Sequence, residues 1–225
     1  MRFDIISANI KILECSLKNG LISRAIDKKL IDTEIHNLRD YAEGRYKQID
    51  DTPYGGGSGM ILKPEPIFRA VNELRSRRSY DEVIYFSPQG TKFNQKIANE
   101  LSLRDNLILI CGHYKGIDER VISKLVTREI SIGDYVLSCG DIAAYVFIDA
   151  VSRLIPGVLG DGESAITDSF QVETGFDHPQ YTRPEIYEKL KVPEVLLSGN
   201  HKEISLWREK KAKSKYKRIL KTNKN

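Results

Sequence analysis

Three glycine-bearing turns follow apolar runs in this chain. Ser87-Pro88-Gln89-Gly90 follows Ile84-Tyr85-Phe86, Cys111-Gly112-His113-Tyr114-Lys115-Gly116 follows Leu107–Ile110, and Ser138-Cys139-Gly140 follows Tyr135-Val136-Leu137. Glycine lets a backbone approach a ligand closely and present bare N–H and C=O groups. In open α/β sheets, ligands bind outside the carboxyl ends of the strands. Three such turns in series point to a small-molecule pocket, with tight structural turns as the alternative. Few side chains could act as acids or bases. Asp149 and Arg153 stand four residues apart on a helical pattern, a spacing that brings side chains together. Ile142, Val146, Phe147, Ile148 and Val151 surround them in sequence, so the pair reads as a partly desolvated one. Asp168 sits in a polar stretch before Ser169-Phe170, where an isolated Asp is by default a helix N-cap. His113 is a lone histidine in a glycine turn.

Other chemistries are disfavoured. No GxGxxG follows the first strand, and no GxxxxGK[ST] occurs, so neither an ordinary dinucleotide site nor a P-loop is expected. Asp50–Met60 is glycine-rich but lacks a terminal lysine, and reads as a mobile loop lining a site. Cys15, Cys111 and Cys139 are odd in number and contain no CxxC pair, which suggests reduced thiols rather than a disulfide framework. His178 and His201 have no partners at metal spacing, so no metal site is expected.

The elements that must position these residues alternate. Phe3–Ser7, Glu82–Phe86, Leu107–Ile110 and Ser131–Ser138 read as strands, and Pro66–Arg77, Asn94–Leu103 and Asp118–Glu129 as amphipathic helices. Such alternation predicts an α/β domain with a mainly parallel sheet. An apolar helix runs from Gly140 toward Pro156-Gly157. Beyond it, residues 160–168 have the small, acidic composition of a linker. Asn200–Leu220 reads as a basic helix. From Lys202 onward the chain has ten Lys/Arg against two acids, while the rest has 25 against 29. A basic tail on a mildly acidic body suggests attraction to a polyanion, the alternative being a solvated tail. No apolar run approaches the roughly 20 residues that span a bilayer, and the N-terminus reads as a strand rather than a signal segment.

Asp51–Met60, Ser87–Gly90, Cys111–Val121, Ile130–Gly140, Arg153–Gly160, Asp168–Phe170, Tyr181–Pro184 and Leu197–His201 occur in the order found in bacterial tRNA (guanine-N1)-methyltransferases, and the chain resembles that family from residue 1 to about 208. The resemblance implies the SPOUT fold, with a deep C-terminal trefoil knot and a small helical C-terminal domain. It implies a cofactor domain over 1–160, a flexible linker over 161–170 and a basic tRNA-binding domain over 171–225. Pro88, Gln89, Gly90, Gly112, Tyr114, Ile132, Gly133, Asp134, Tyr135, Val136, Leu137 and Gly140 are then the positions that hold S-adenosyl-L-methionine. Asp168 is the general base and Arg153 its partner, acting on N1 of the guanine just 3′ of the anticodon. A cytoplasmic homodimer with active sites at the subunit interface follows too, as does a magnesium requirement that no residue displays. Other possibilities are a SPOUT methyltransferase acting on another RNA, or a noncatalytic RNA-binding protein of the same fold.

The sequence departs from the commonest family pattern. His113 and Lys115 replace an Arg and a Glu, Cys139 and Asp141 stand where Gly and Glu are usual, and Gln180 replaces a His. Ala8-Asn9-Ile10 lacks the usual aromatic-Pro pair. None of these changes touches Arg153 or Asp168.

Overall fold

The apolar run Arg2–Ser7 forms the first strand, β1, buried along nearly its whole length. In the computed structural model, which describes residues 1–159 and 177–222, it pairs in parallel with β2 (Asp32–Asn37) on one side and β6 (Asn106–Ile110) on the other. β6 pairs in parallel with β5 (Glu82–Lys92), and β5 with β7 (Arg128–Ser131). The result is a five-stranded parallel sheet in the order β2-β1-β6-β5-β7. Continuously buried strands such as β1 and β6 are what a parallel sheet covered on both faces requires. β2 was not anticipated from the sequence. Asp-Thr-Glu-Ile-His-Asn is polar and lies at the edge of the sheet, with only His36 of its residues buried.

Helices cover both faces. Four pack on one side: α1 (Ile10–Leu17), α2 (Gly20–Asp27), α4 (Gln95–Leu101) and α6 (Gly140–Ser152). There Phe147 of α6 meets Phe3 edge-on, with ring centroids 6.5 Å apart, and Phe86 at 5.6 Å. α3 (Pro64–Arg77) and α5 (Glu119–Leu125) pack on the other side, where Ile67, Val71, Leu74 and Val121 are fully buried. α3 opens on a proline in its first turn, and Asn94 caps α4 by accepting from the Ile97 N–H at 3.0 Å. A two-stranded hairpin of β3 (Asp50–Asp51) and β4 (Ile61–Leu62) carries the glycine-rich loop between its strands.

Two expectations need correction. The helix predicted over Asp118–Glu129 stops at Leu125, because Thr127 and Arg128 already pair with β5. The strand predicted over Ser131–Ser138 is instead β7 ending at Ser131, followed by a loop. That loop bonds to itself: Gly133 N–H donates to Ser131 Oγ, Tyr135 N–H to the Gly133 carbonyl, and Tyr135 OH to the Ile132 carbonyl. Alternation alone suggested a half-buried strand, but Tyr135 and Val136 are exposed (54% and 85%), so no buried face stabilises one.

The chain divides into two compact units, Met1–Gly160 and Asp161–Asn225. In the second, a hairpin of β8 (Ile186–Tyr187) and β9 (Leu190–Lys191) precedes a short α7 (Glu194–Leu197) and a long α8 (His201–Thr222). The Asn200 side chain accepts from the Glu203 N–H at the start of α8, and Tyr181 packs near Trp207 with centroids 6.3 Å apart. The basic helix expected over Asn200–Leu220 is thus present, and Lys202, Arg208, Lys210, Lys211 and Lys213 are exposed on it.

Candidate active site

The carboxyl ends of β5, β6 and β7 open onto one cavity of about 750 Å³. Each contributes a turn of the kind singled out in the sequence. β5 does not end at Phe86. Residues 87–90 bulge outward, so that Phe86 and Thr91 both register with Ile130, and the strand resumes to Lys92. Pro88 and Gln89 on this bulge line the cavity. Gly112 and Tyr114 line it from the loop after β6, and Ile132, Gly133, Tyr135, Val136 and Leu137 from the loop after β7. Gly140, the first residue of α6, completes that wall.

Two glycines are dictated by close approach. A Cβ on Gly90 would lie 2.6 Å from the Glu129 carbonyl carbon and the Ile130 nitrogen. A Cβ on Gly140 would lie 2.8 Å from the Gly112 nitrogen and 3.0 Å from Cys111 Cα. In both places one main chain crosses directly against another. The Gly140 N–H donates to the Gly112 carbonyl at 2.8 Å, and a lone antiparallel bridge joins His113 to Cys139. Tyr85 fills the space beside Gly112, its ring edge 3.0 Å from where a Cβ would be. Burial, with the Glu129 charge adding to it, pushes the Tyr85 phenol up to about 12, so it is neutral at physiological pH.

The expected cofactor positions divide accordingly. Ten of the twelve line the cavity, and Gly90 and Asp134 do not. Gly90 lies against the Glu129–Ile130 backbone, and the Asp134 carboxylate accepts from Lys92 Nζ. The glycine-rich hairpin contributes only its end: Gly59 and Met60 line the cavity, and the Lys115 N–H donates to the Met60 carbonyl at 3.1 Å. Sequence reasoning missed Tyr85, Phe86 and Glu129 as lining residues. Their place just before the Ser87–Gly90 turn and in β7 was the available signal.

Arg153 caps the C-terminal end of α6, its N–H donating to the Asp149 carbonyl at 3.2 Å. Among the ion pairs of the described residues none joins the Asp149 and Arg153 side chains, and Asp149 is only half-buried. The buried acid of this helix is Asp141, in its first turn and fully enclosed. Its Oδ1 accepts from Ser7 Oγ, and its Oδ2 lies 3.2 Å from His113 Nε2. Burial alone would raise the Asp141 pKa, but hydrogen bonds from His113, Ser7 and Cys139 outweigh it and hold the carboxyl below its usual range. Burial and that charge push the Cys111 and Cys139 thiols upward. Asp168 lies outside the described residues.

The sequence and the fold have counterparts among known proteins. The family model for tRNA (guanine-1)-methyltransferase TrmD matches residues 1–221. The tRNA (guanine-N(1)-)-methyltransferase of Chlorobaculum tepidum is 53% identical over 96% of this chain and 93% of its own length. That of Christiangramia forsetii is 50% identical over 97% and 96%. The structure of tRNA (m1G37) methyltransferase from Aquifex aeolicus superposes with a TM-score of 0.79 at 40% identity, covering 100% of this chain and 94% of that one. The mainly parallel sheet, the cavity at its carboxyl ends and relatives of half-identical sequence agree, and the chain belongs to the tRNA (guanine-N1)-methyltransferase family.

Proposed function

We propose that the chain methylates N1 of the guanine at tRNA position 37, just 3′ of the anticodon, using S-adenosyl-L-methionine held in the β5–β7 cavity. The observation that carries this is the cavity's glycine wall, where Gly112 and Gly140 meet main chain to main chain. That close crossing joins the loop after β6 and the start of α6 into one continuous wall, against which a compact, folded donor can rest. Pro88, Gln89, Gly112, Tyr114, Ile132, Gly133, Tyr135, Val136, Leu137 and Gly140 would contact it. Gly90 and Asp134 would act from behind, Gly90 by admitting the β7 backbone and Asp134 by tethering its loop to Lys92. When bound, the cofactor supplies an electrophilic methyl group.

Guanine N1 carries a proton and is a poor nucleophile. Asp168 takes that proton as the general base, a role worth about 10²–10⁴-fold in rate. Arg153 donates to O6, where negative charge develops, without itself changing protonation state. The Arg153 N–H bonded to the Asp149 carbonyl fixes where that side chain leaves α6. The base must leave the anticodon-loop stack to be reached.

Residues 161–170 serve as the linker that delivers Asp168, in a homodimer whose active sites form between subunits. Residues 171–225 grip tRNA phosphates through α8. The crossings at Gly90 and Gly140 support a threaded, trefoil-knotted path for the C-terminal part of the first unit. A cytoplasmic location fits this substrate, and no helix among the described residues is long and apolar enough to cross a membrane. Glu119 and Glu129, the carboxylates lining the cavity, belong to no three-donor group among the described residues, so no residues are assigned to magnesium.

The test is methyl transfer from labelled S-adenosylmethionine to tRNA transcripts with guanine or adenine at position 37. Label is expected on N1 of guanine 37 alone. Label at another nucleotide would overturn the position, and no label with any transcript would overturn the donor assignment.

A further inference from the structure

We infer that His113, Cys139 and Asp141 form a binding site for one zinc-class divalent ion in the wall of this cavity. The Nε2, Sγ and carboxylate oxygen of these residues all lie within 4.8 Å of one another. His113 Nε2 and Asp141 Oδ2 are 3.2 Å apart. A tetrahedral zinc ion, with Zn–N and Zn–O distances near 2.0–2.1 Å, holds such donors about 3.3–3.4 Å apart. That pair is therefore almost at ligand spacing already. The donor set is one nitrogen, one sulfur and one oxygen, which suits zinc or cobalt and is alien to magnesium.

The surroundings are those of a supported site. Ser7 Oγ donates to the other oxygen of Asp141, Oδ1, and leaves Oδ2 directed at His113. Ser7 Oγ in turn accepts from the Asn9 N–H at 2.9 Å. Outer partners of this kind fix the orientation of a ligating carboxylate. Asp141 and Cys139 are buried (0% and 5% exposed), while His113 and Cys139 both line the cavity, which gives an ion its route in. A fourth position remains for water.

The three residues lie up to 28 residues apart in sequence and are brought together only by the fold. The other group with metal-ligand residue types, Asp4, Glu34 and His36, is different. Arg2 already bonds to Asp4 at 2.7 and 2.9 Å and to Glu34, so a cation occupies the place of an ion.

The inference does not depend on the methyl-transfer reading, because it is read on the resting protein. The untagged full chain, stripped with a chelator, is titrated with cobalt(II) as the spectroscopic probe and then with zinc(II). One cobalt per chain is expected, with intense thiolate charge-transfer absorption and the visible bands of a four-coordinate ion, displaced by zinc but not by magnesium. Cys15→Ser should leave the spectrum unchanged, Cys139→Ser should abolish the thiolate band, and His113→Gln should weaken binding at least about tenfold. Circular dichroism checks that each variant is folded. A second measurement needs no variant: zinc should protect Cys139, and not the exposed Cys15, from alkylation by a maleimide. A thiolate band that is absent, or that survives Cys139→Ser, overturns the inference, as does alkylation of Cys139 that zinc leaves unchanged.

Discussion

Replacing Gly140 by alanine tests whether the cavity wall depends on main chain meeting main chain. The added Cβ would lie 2.8 Å from the Gly112 nitrogen, and ordinary contact begins near 3.4 Å. The two backbones must therefore separate by about 0.6 Å. Forcing extra volume into a closed site costs about 1–3 kcal/mol. Separation also stretches the 2.8 Å hydrogen bond from the Gly140 N–H to the Gly112 carbonyl, worth about 0.5–1.5 kcal/mol. Together these give a loss of about 1.5–4.5 kcal/mol, which for a chain of this size lowers Tm by roughly 3–18 °C. Because both residues wall the cavity, affinity for S-adenosylmethionine should fall as well, by about tenfold for each 1.4 kcal/mol of distortion carried into the bound state. Calorimetry gives both quantities, with Gly55→Ala as the comparison. Gly55 has nothing within 4 Å of its Cβ position and only its φ of +84° to strain, so it should leave donor affinity intact. A Gly140→Ala protein as stable as wild type, binding the donor equally well, would refute the reasoning.

Asp168→Ala should reduce turnover by at least about 10²-fold while cofactor affinity by calorimetry stays near wild type; collapse of cofactor binding would make Asp168 structural. Truncation after Arg208 removes most of the basic residues of α8, and should weaken tRNA binding and reduce its salt slope by about 0.7–0.9 for each phosphate no longer neutralised. An unchanged slope in a filter-binding titration would return that helix to a solvated surface. Asp4 is buried, which raises its pKa, but hydrogen bonds from His36, Arg2 and Tyr80 outweigh this and hold its carboxyl well below the usual range. A depressed carboxyl stabilises the fold above its unfolded pKa of about 3.9 and loses that stabilisation as pH falls. Urea denaturation between pH 7 and 3 should therefore show a steeper acid loss in wild type than in Asp4→Asn, and parallel curves would remove Asp4 from that limb.

Much of the sheet was legible because its strands are buried on both sides. Leu107–Ile110 and Glu82–Phe86 are apolar almost without interruption, as strands of a covered parallel sheet are. β2 carried no such signal, and the loop after β7 carried a false one, since Ile132–Leu137 form a loop along the cavity wall rather than a pleated strand. On α6, the four-residue spacing drew attention to Asp149 and Arg153. Helix phase would have served better: Ala144, Ile148 and Val151 are buried, and Asp141, three and seven residues before the first two, shares their face. The His113–Cys139–Asp141 cluster was invisible along the chain, because metal-ligand spacing is a local signal and these residues are joined only where the loop after β6 meets the start of α6.

The main-chain crossings at Gly90 and Gly140 have a consequence for inhibition. Bacteria escape small molecules mostly by exchanging side chains that touch them. At these two glycines any exchange drives a Cβ into a neighbouring backbone. A compound that rests on Gly112 and Gly140 rather than on the exposed Tyr135 and Val136 side chains would leave the protein fewer routes to drug resistance that keep its sheet intact.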